Sequence, residues 1–337
     1  MAVRVILCPG QGAQAVGMGK AWHDASPEAR EVFTRADAFL GGRLGAKLTD
    51  LCFSGPAERL NQTDVSQPAI YVASVACWTG LLAGWQSGAG SAVVEAGLSA
   101  TAGLSLGEYT ALHIAGVFGF EEGLELVVLR GRAMQDAATA IPSGMVTLIG
   151  ADEAQAQQVC DEARGNGVLV RANFNAPGQI VISGDQSACD RSIPIAAAKG
   201  LRAAVLPVAG AFHSPIMAPA AERLASALKQ TSIRPPKCDV FSNVTGLPHQ
   251  ADAATGASIE DAIRRRLVEQ LTHPVLWAQG CANLIQSVAA STLVASPTSP
   301  LPSIEYHELA PGKTLAGLMR RINKSVKVET HDEPVLV

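Results

Sequence analysis

The chain has 337 residues, 48% of them hydrophobic and 17% charged, with 32 glycines. That hydrophobic content excludes disorder as the main state, and the length suggests two folded units. The net charge of −4, with no long basic run, argues against a nucleic-acid binder, whose footprint is basic.

Seven cysteines, at 8, 52, 77, 160, 189, 238 and 281, are scattered, without CxxC or Cys/His ligand spacing. They read as reduced, buried thiols of a cytoplasmic protein, with no metal expected. The opening MAVRVILCPGQG lacks the apolar core and cleavage site of a signal peptide. The uncharged stretch from Val65 to Val94 has its best run at Ala69–Trp85. That run is shorter than the ~20 apolar residues of a membrane span, so it reads as a buried helix.

Hydrophobic periodicity predicts a strand at Val3–Cys8, then helices over 26–40 and 69–84. A strand at Gly97–Leu104 and helices at Glu108–Val117 and Glu121–Ala137 follow. The pattern then changes. Strands at Met145–Ile149, Val168–Asn173, Gln179–Ser183 and Arg202–Pro207 alternate with helices at Glu153–Ala163 and Ser187–Ala198. That βαββαβ order is the ferredoxin-like split pattern. It places a small domain at 138–208 within a larger α/β domain made of 1–137 and 209–337. Beyond it come a helix from Pro215 to Lys229, a strand at Asp239–Asn243 and helices at Ile259–Leu271 and Val275–Ser287. Ala289–Ser303, rich in Ser and Pro, reads as a surface loop. A strand at Ser303–Tyr306, a helix at Thr314–Ile322 and a tail complete the chain.

Four features carry chemistry. Gly103-Leu104-Ser105-Leu106-Gly107 is a GxSxG between a predicted strand and a predicted helix. Such a turn lifts a serine hydroxyl above a sheet and aims backbone N–H groups at a reacting carbonyl oxygen. A glycine-rich turn with a capping serine is the plainer alternative. Arg130 is the second feature. On a helix over 121–137 its neighbours are Leu126, Val127, Ala133, Met134 and Ala137, whereas Arg132 adjoins Glu125 and Asp136. A guanidinium on the apolar face needs a partner, either an internal carboxylate or one on a ligand. His213, in Gly210-Ala211-Phe212-His213-Ser214-Pro215, precedes a capping Ser-Pro pair. The positive end of that helix disfavours imidazolium and keeps a neutral base available; a surface or structural histidine is the plainer alternative. Last, Gly10-x-Gly12-x-x-Ala15 follows the first strand as a dinucleotide loop would. The second strand with its acidic residue is missing, since 26–40 reads as helix. Such a loop can also bring a backbone N–H to a carbonyl oxygen.

Together these residues resemble the malonyl-CoA:acyl-carrier-protein transacylases and the acyltransferase domains of fatty-acid and polyketide synthases. The resemblance runs along nearly the whole chain through PGQGAQ (9–14), TDVSQPAI (63–70), GLSLGEY (103–109), LRGRAMQ (129–135), NFNAPGQIVISG (173–184), GAFHSPIM (210–217), FSNVTG (241–246) and ELAPGKTLAGL (308–318). It implies an α/β-hydrolase-like core with a parallel sheet and a ferredoxin-like insert. It also implies ping-pong acyl transfer without a bound cofactor: malonyl-CoA donates, and the phosphopantetheine thiol of an acyl carrier protein accepts. Ser105 would be the nucleophile and His213 its base. Gln11 and Leu106 would supply oxyanion N–H groups, and Arg130 would hold the malonyl carboxylate. Asn175 would lie near the site. Phe212 would crowd C2 against a methyl group, a difference of only ~1–3 kcal/mol. No nucleic-acid or membrane partner is implied. Two residues depart from the family: Leu104 replaces the usual histidine before the nucleophile, and Leu276 replaces a polar residue near the catalytic histidine. The carbonyl of Leu276 could still orient that histidine. Fatty-acid synthesis is the expected pathway. A trans-acting polyketide acyltransferase, a serine thioesterase or hydrolase, and a decayed carrier-binding scaffold are the alternatives.

Overall fold

The computed structural model describes residues 2–89, 97–295 and 302–334. β1 (Val3–Cys8) leads through α1 (Lys20–Ala25), α2 (Pro27–Leu40), α3 (Leu48–Ser54) and α4 (Ala57–Leu60) to the long α5 (Thr63–Ala89). β2 (Leu98–Gly103), α6 (Gly107–Ile114) and α7 (Phe120–Ala140) follow. Next come β3 (Ser143–Ile149), α8 (Glu153–Arg164), β4 (Leu169–Ala176), β5 (Gln179–Asp185), α9 (Gln186–Ala198) and β6 (Arg202–Val205). A 3₁₀ turn at Pro215–Met217, α10 (Ala218–Gln230), β7 (Asp239–Phe241), α11 (Ile259–Glu269), α12 (Trp277–Ala295), β8 (Ile304–Leu309), α13 (Thr314–Ile322) and β9 (Val328–His331) complete the order.

The fold is α/β, with one wholly parallel sheet in the order β7-β2-β1-β8-β9. β1 lies at its centre, and Val5 to Cys8 are fully buried, as a strand covered on both faces requires. Parallel pairing brings every strand's carboxyl end to one edge, where ligands of such sheets bind. The loops after β1, β2 and β7 meet there.

Helix chemistry follows the apolar stripes. Ser26 caps α2, its Oγ accepting from the Ala29 N–H, and Pro27 opens the first turn. Ala29, Val32, Phe33, Ala36 and Leu40 then form its buried face. α5 packs between α2 and α7. By length and composition Thr63–Gln86 could cross a membrane, yet Ala69 to Ala73, Ala76 and Cys77 are fully buried within the fold.

The second sheet is antiparallel, in the order β4-β5-β3-β6. Strand alternation gives it two distinct faces. Val146, Leu148, Leu169, Ile180 and Ile182 pack under α8 and α9. Met145, Ala172 and Val181 face the other way and join the main core.

Three expectations from the sequence change. The proposed loop at 289–303 is helical to Ala295, where Thr292 Oγ1 donates to the Val288 carbonyl one turn back. Positions 296–301 lie outside the described residues, as do 90–96. The expected tail contains β9, paired in parallel with β8. Its His331 carbonyl accepts from Trp22 Nε1 and Cys77 Sγ, partners that local periodicity cannot reveal. α1, α3 and α4 were not expected, being too short for a clear period.

Candidate active site

The GxSxG segment is a tight bend between β2 and α6. Ser105 has φ 52° and His213 φ 56°, and among the described residues these are the non-glycine positions with left-handed backbone. Such conformations cost of order 1–3 kcal/mol and persist where the surroundings over-determine them. Here the glycines make the bend possible. A Cβ on Gly103 would stand 1.9 Å from the Gly107 carbonyl carbon, and one on Gly107 2.1 Å from the Cys8 carbonyl oxygen. A Cβ on Gly10 would stand 2.2 Å from the Leu104 carbonyl oxygen. The loop after β1 and the bend after β2 therefore touch backbone to backbone.

The Ser105 hydroxyl meets two side chains from elsewhere in the chain. His213 Nε2 lies 2.8 Å from Ser105 Oγ, and its Nδ1 lies 2.7 Å from the Gln270 carbonyl oxygen. That carbonyl can only accept, so Nδ1 carries the proton and Nε2 offers its lone pair to the serine. Burial, and then the charge of Arg130, lower the His213 pKa to about 4, while the Gln270 carbonyl opposes the shift. Leu276 does not orient the histidine. Its N–H instead donates to the Asn243 carbonyl at 2.8 Å.

Arg130 is 1% exposed. Its guanidinium donates to Gln67 Oε1 at 2.7 Å, Gln270 Oε1 at 2.9 Å and Ser105 Oγ at 3.0 Å, and it lies over the Tyr109 ring. None of these acceptors carries a negative charge, and Arg130 Nε has no partner. Burial lowers its pKa, with Tyr109 and Glu108 opposing; the group remains a cation near neutrality.

A carboxylate behind the bend holds this arrangement. Glu108, fully buried, accepts from Gln270 Nε2 at 2.6 Å, His249 Nε2 at 2.8 Å and the Asn243 N–H at 3.1 Å. Asn243 returns to the bend, accepting from the Ser105 N–H at 2.6 Å and donating to the Gly103 carbonyl at 2.7 Å. Gln270 also donates to the Ser105 carbonyl at 3.0 Å, so its side-chain amide ties together the serine bend, Arg130 and Glu108 while its backbone carbonyl holds His213.

Ser105 and His213 open on a cleft of about 130 Å³ that Gln11, Leu104, Asn175 and Phe212 also line. Arg130 reaches it through Ser105 Oγ. The side chain of Leu106 is in the core, leaving its backbone N–H as what it offers the site. Asn175 Oδ1 is buried without a hydrogen-bond partner. The small sheet supplies Met145, Asn173 and Val181 to the cleft wall.

Sequence reasoning missed Glu108, Asn243, Gln67 and Gln270. The test that singled out Arg130 would have found Glu108, whose helical neighbours Ala111, Leu112 and Ala115 are all apolar. Gln270 similarly extends the buried stripe of Ile263 and Leu267.

Two outcomes follow from this geometry. Gly107→Ala forces a carbon against the Cys8 carbonyl and should lower unfolding free energy by about 1–3 kcal/mol, as overpacking does; urea denaturation measures it, and an unchanged midpoint would contradict the contact. A base must be neutral to accept a proton, and His213 stays neutral down to about pH 4. Labelling of Ser105 by phenylmethylsulfonyl fluoride should be level from pH 8 to 5 and fall at lower pH. Because the Arg130 charge lowers the pKa, Arg130→Ala should move that fall to higher pH. A midpoint near the ordinary histidine value in the unsubstituted protein would refute the burial of the base.

Residues 5–330 match the family model described as acyl transferase domain. The chain is 37% identical over 328 residues to the malonyl CoA-acyl carrier protein transacylase of Salmonella typhimurium, covering 97% of this chain and 94% of that protein. It superposes with a TM-score of 0.82 on the crystal structure of malonyl-CoA:acyl carrier protein transacylase from Xanthomonas oryzae, at 38% identity, over 99% of this chain and 96% of that one. A chain from the structure of a type II PKS acyl-carrier protein in complex with its malonyl-transacylase also matches, at TM-score 0.83 and 33% identity, over 99% of this chain and 97% of the other.

Proposed function

The chain belongs to the acyl transferase domain family, and we propose that it moves a malonyl group from malonyl-CoA to the phosphopantetheine thiol of an acyl carrier protein, feeding fatty-acid synthesis. The observation that carries this reading is a buried arginine with no anionic partner, 3.0 Å from the hydroxyl of a strained serine.

Ser105 Oγ attacks the thioester carbonyl while His213 Nε2 takes its proton. The Gln11 and Leu106 N–H groups receive the oxyanion. Collapse of the tetrahedral intermediate breaks the C–S bond, and the coenzyme A sulfur leaves with the proton held by His213. A seryl malonyl ester remains. The carrier thiol then gives its proton to His213, attacks the ester carbonyl, and Ser105 leaves with that proton. The acyl group and both protons balance across the two halves.

Arg130 holds the distal malonyl carboxylate in a charge-assisted fork. The same contact couples binding to chemistry. Arg130 lowers the pKa of His213, so a carboxylate that neutralises the guanidinium makes His213 a stronger base when the right acyl group is bound. Asn175 offers its unpartnered oxygen to the acyl chain, and Phe212, 5% exposed in the cleft wall, crowds C2. A backbone carbonyl orients His213, so the base needs no acidic third member.

We read 1–137 and 209–337 as a hydrolase-like core and 138–208 as a ferredoxin-like insert. The order β4-β5-β3-β6, with α8 and α9 packed on one face, supports that division. The free cysteines suit the cytoplasm, where thiols stay reduced.

Mixing the protein with malonyl-CoA and a holo carrier should yield malonyl-carrier in excess of free malonate, and Ser105→Ala should abolish both the malonyl mass adduct and transfer. Malonate as the main product would make the chain a hydrolase. Loading that persists in Ser105→Ala would remove the assigned nucleophile.

A further inference from the structure

We infer that His307, Glu329 and His331 form a binding site for a divalent cation of the Zn²⁺ class, at the β8–β9 side of the parallel sheet and on residues that line no part of the Ser105 cleft. The sheet register builds it. β8 and β9 pair with His307 opposite Glu329 and Leu309 opposite His331. Side chains two residues apart share a strand face, so all three project to the same side. Their nearest ligand atoms lie within 4.8 Å of one another. His307 Nδ1 is 3.0 Å from His331 Nε2 and 3.6 Å from Glu329 Oε2. Ligand atoms around tetrahedral zinc stand ~3.3 Å apart, given Zn–N of ~2.0–2.1 Å. The two measured separations bracket that spacing.

The hydrogen bonding is compatible with a cation. Both imidazoles are buried, and their nitrogens face each other. One shared proton satisfies that pair yet leaves His307 Nε2 buried without a hydrogen-bond partner. A cation between the rings takes a lone pair from each and fixes His307 with its proton on Nε2. Glu305 Oε2 lies 3.7 Å from that nitrogen, beyond hydrogen-bond distance, and pairs with Arg4 Nε at 3.4 Å. Two imidazoles and one carboxylate form a borderline donor set that suits zinc, with water completing the shell. Glu329 reaches in from solvent and gives the ion an entry path.

The ion would fasten the last strand. The His331 carbonyl already accepts from Trp22 and Cys77, so holding its ring fixes β9 to the sheet and to α1 and α5 together. No ligand motif marks the site in the sequence because its members come from two strands 24 residues apart.

Chelator-stripped full-length protein, titrated with zinc chloride against a chromogenic zinc indicator, should take up one equivalent at micromolar free metal, and its melting temperature should rise. His331→Gln should lose that equivalent and the thermal shift. Glu329→Gln, at an exposed position that the fold tolerates, should weaken uptake by about tenfold. No uptake by the unsubstituted protein would overturn the site. Undiminished uptake in His331→Gln would also overturn it, placing the metal elsewhere on the chain. Metal is read without acyl substrate, so this outcome is separate from that of malonyl transfer.

Discussion

A guanidinium keeps its charge across the whole pH range in which proteins fold, and burying one without an anion is strongly unfavourable. Arg130 is in that position. Two amide oxygens and a hydroxyl surround it, with an aromatic ring beneath. These dipoles soften the desolvation without cancelling the charge. Glu108, joined to Arg130 through the Gln270 amide, opposes part of that charge from behind without contacting it, and the guanidinium faces the hydroxyl held in a strained bend. A substrate with a carboxylate at the far end of a short acyl group supplies the missing anion and at the same time places its carbonyl at Ser105.

The backbone makes that meeting possible. Parallel pairing sends the ends of β1, β2 and β7 to one edge of the sheet, and three glycines let the loop after β1 press against the serine bend. Glu108 then anchors the parts from behind through Gln270 and Asn243. The antiparallel sheet divides its faces between its own helices and the cleft. It thus completes the site wall with side chains that strand alternation alone brings there.

What the sequence disclosed, and what it withheld, divides by range. Strands and helices with a strong period were readable, as were the serine bend from its flanking glycines and Arg130 from its apolar helix face. The βαββαβ run was readable because its elements are consecutive. Gln270 and Asn243 were not, since each acts across more than 130 residues through an amide that no local pattern distinguishes. The partner of His213 Nδ1 is a backbone carbonyl, which any residue provides; only the fold places it at Gln270 instead of Leu276. β9 was hidden for a similar reason. Four residues of mixed polarity become a strand by pairing with β8, and the His331 carbonyl at its end accepts from Trp22 and Cys77.

The most direct measurement compares the kcat/KM of Ser105 loading from malonyl-CoA and from acetyl-CoA in the unsubstituted protein and in Arg130→Ala. If Arg130 awaits the substrate's carboxylate, malonyl loading falls by roughly two to three orders of magnitude, since losing one partner of a buried charge pair costs ~2–5 kcal/mol, while acetyl loading falls far less or rises. An equal fall for both donors would make Arg130 a structural cation and contradict the proposed basis of acyl selection.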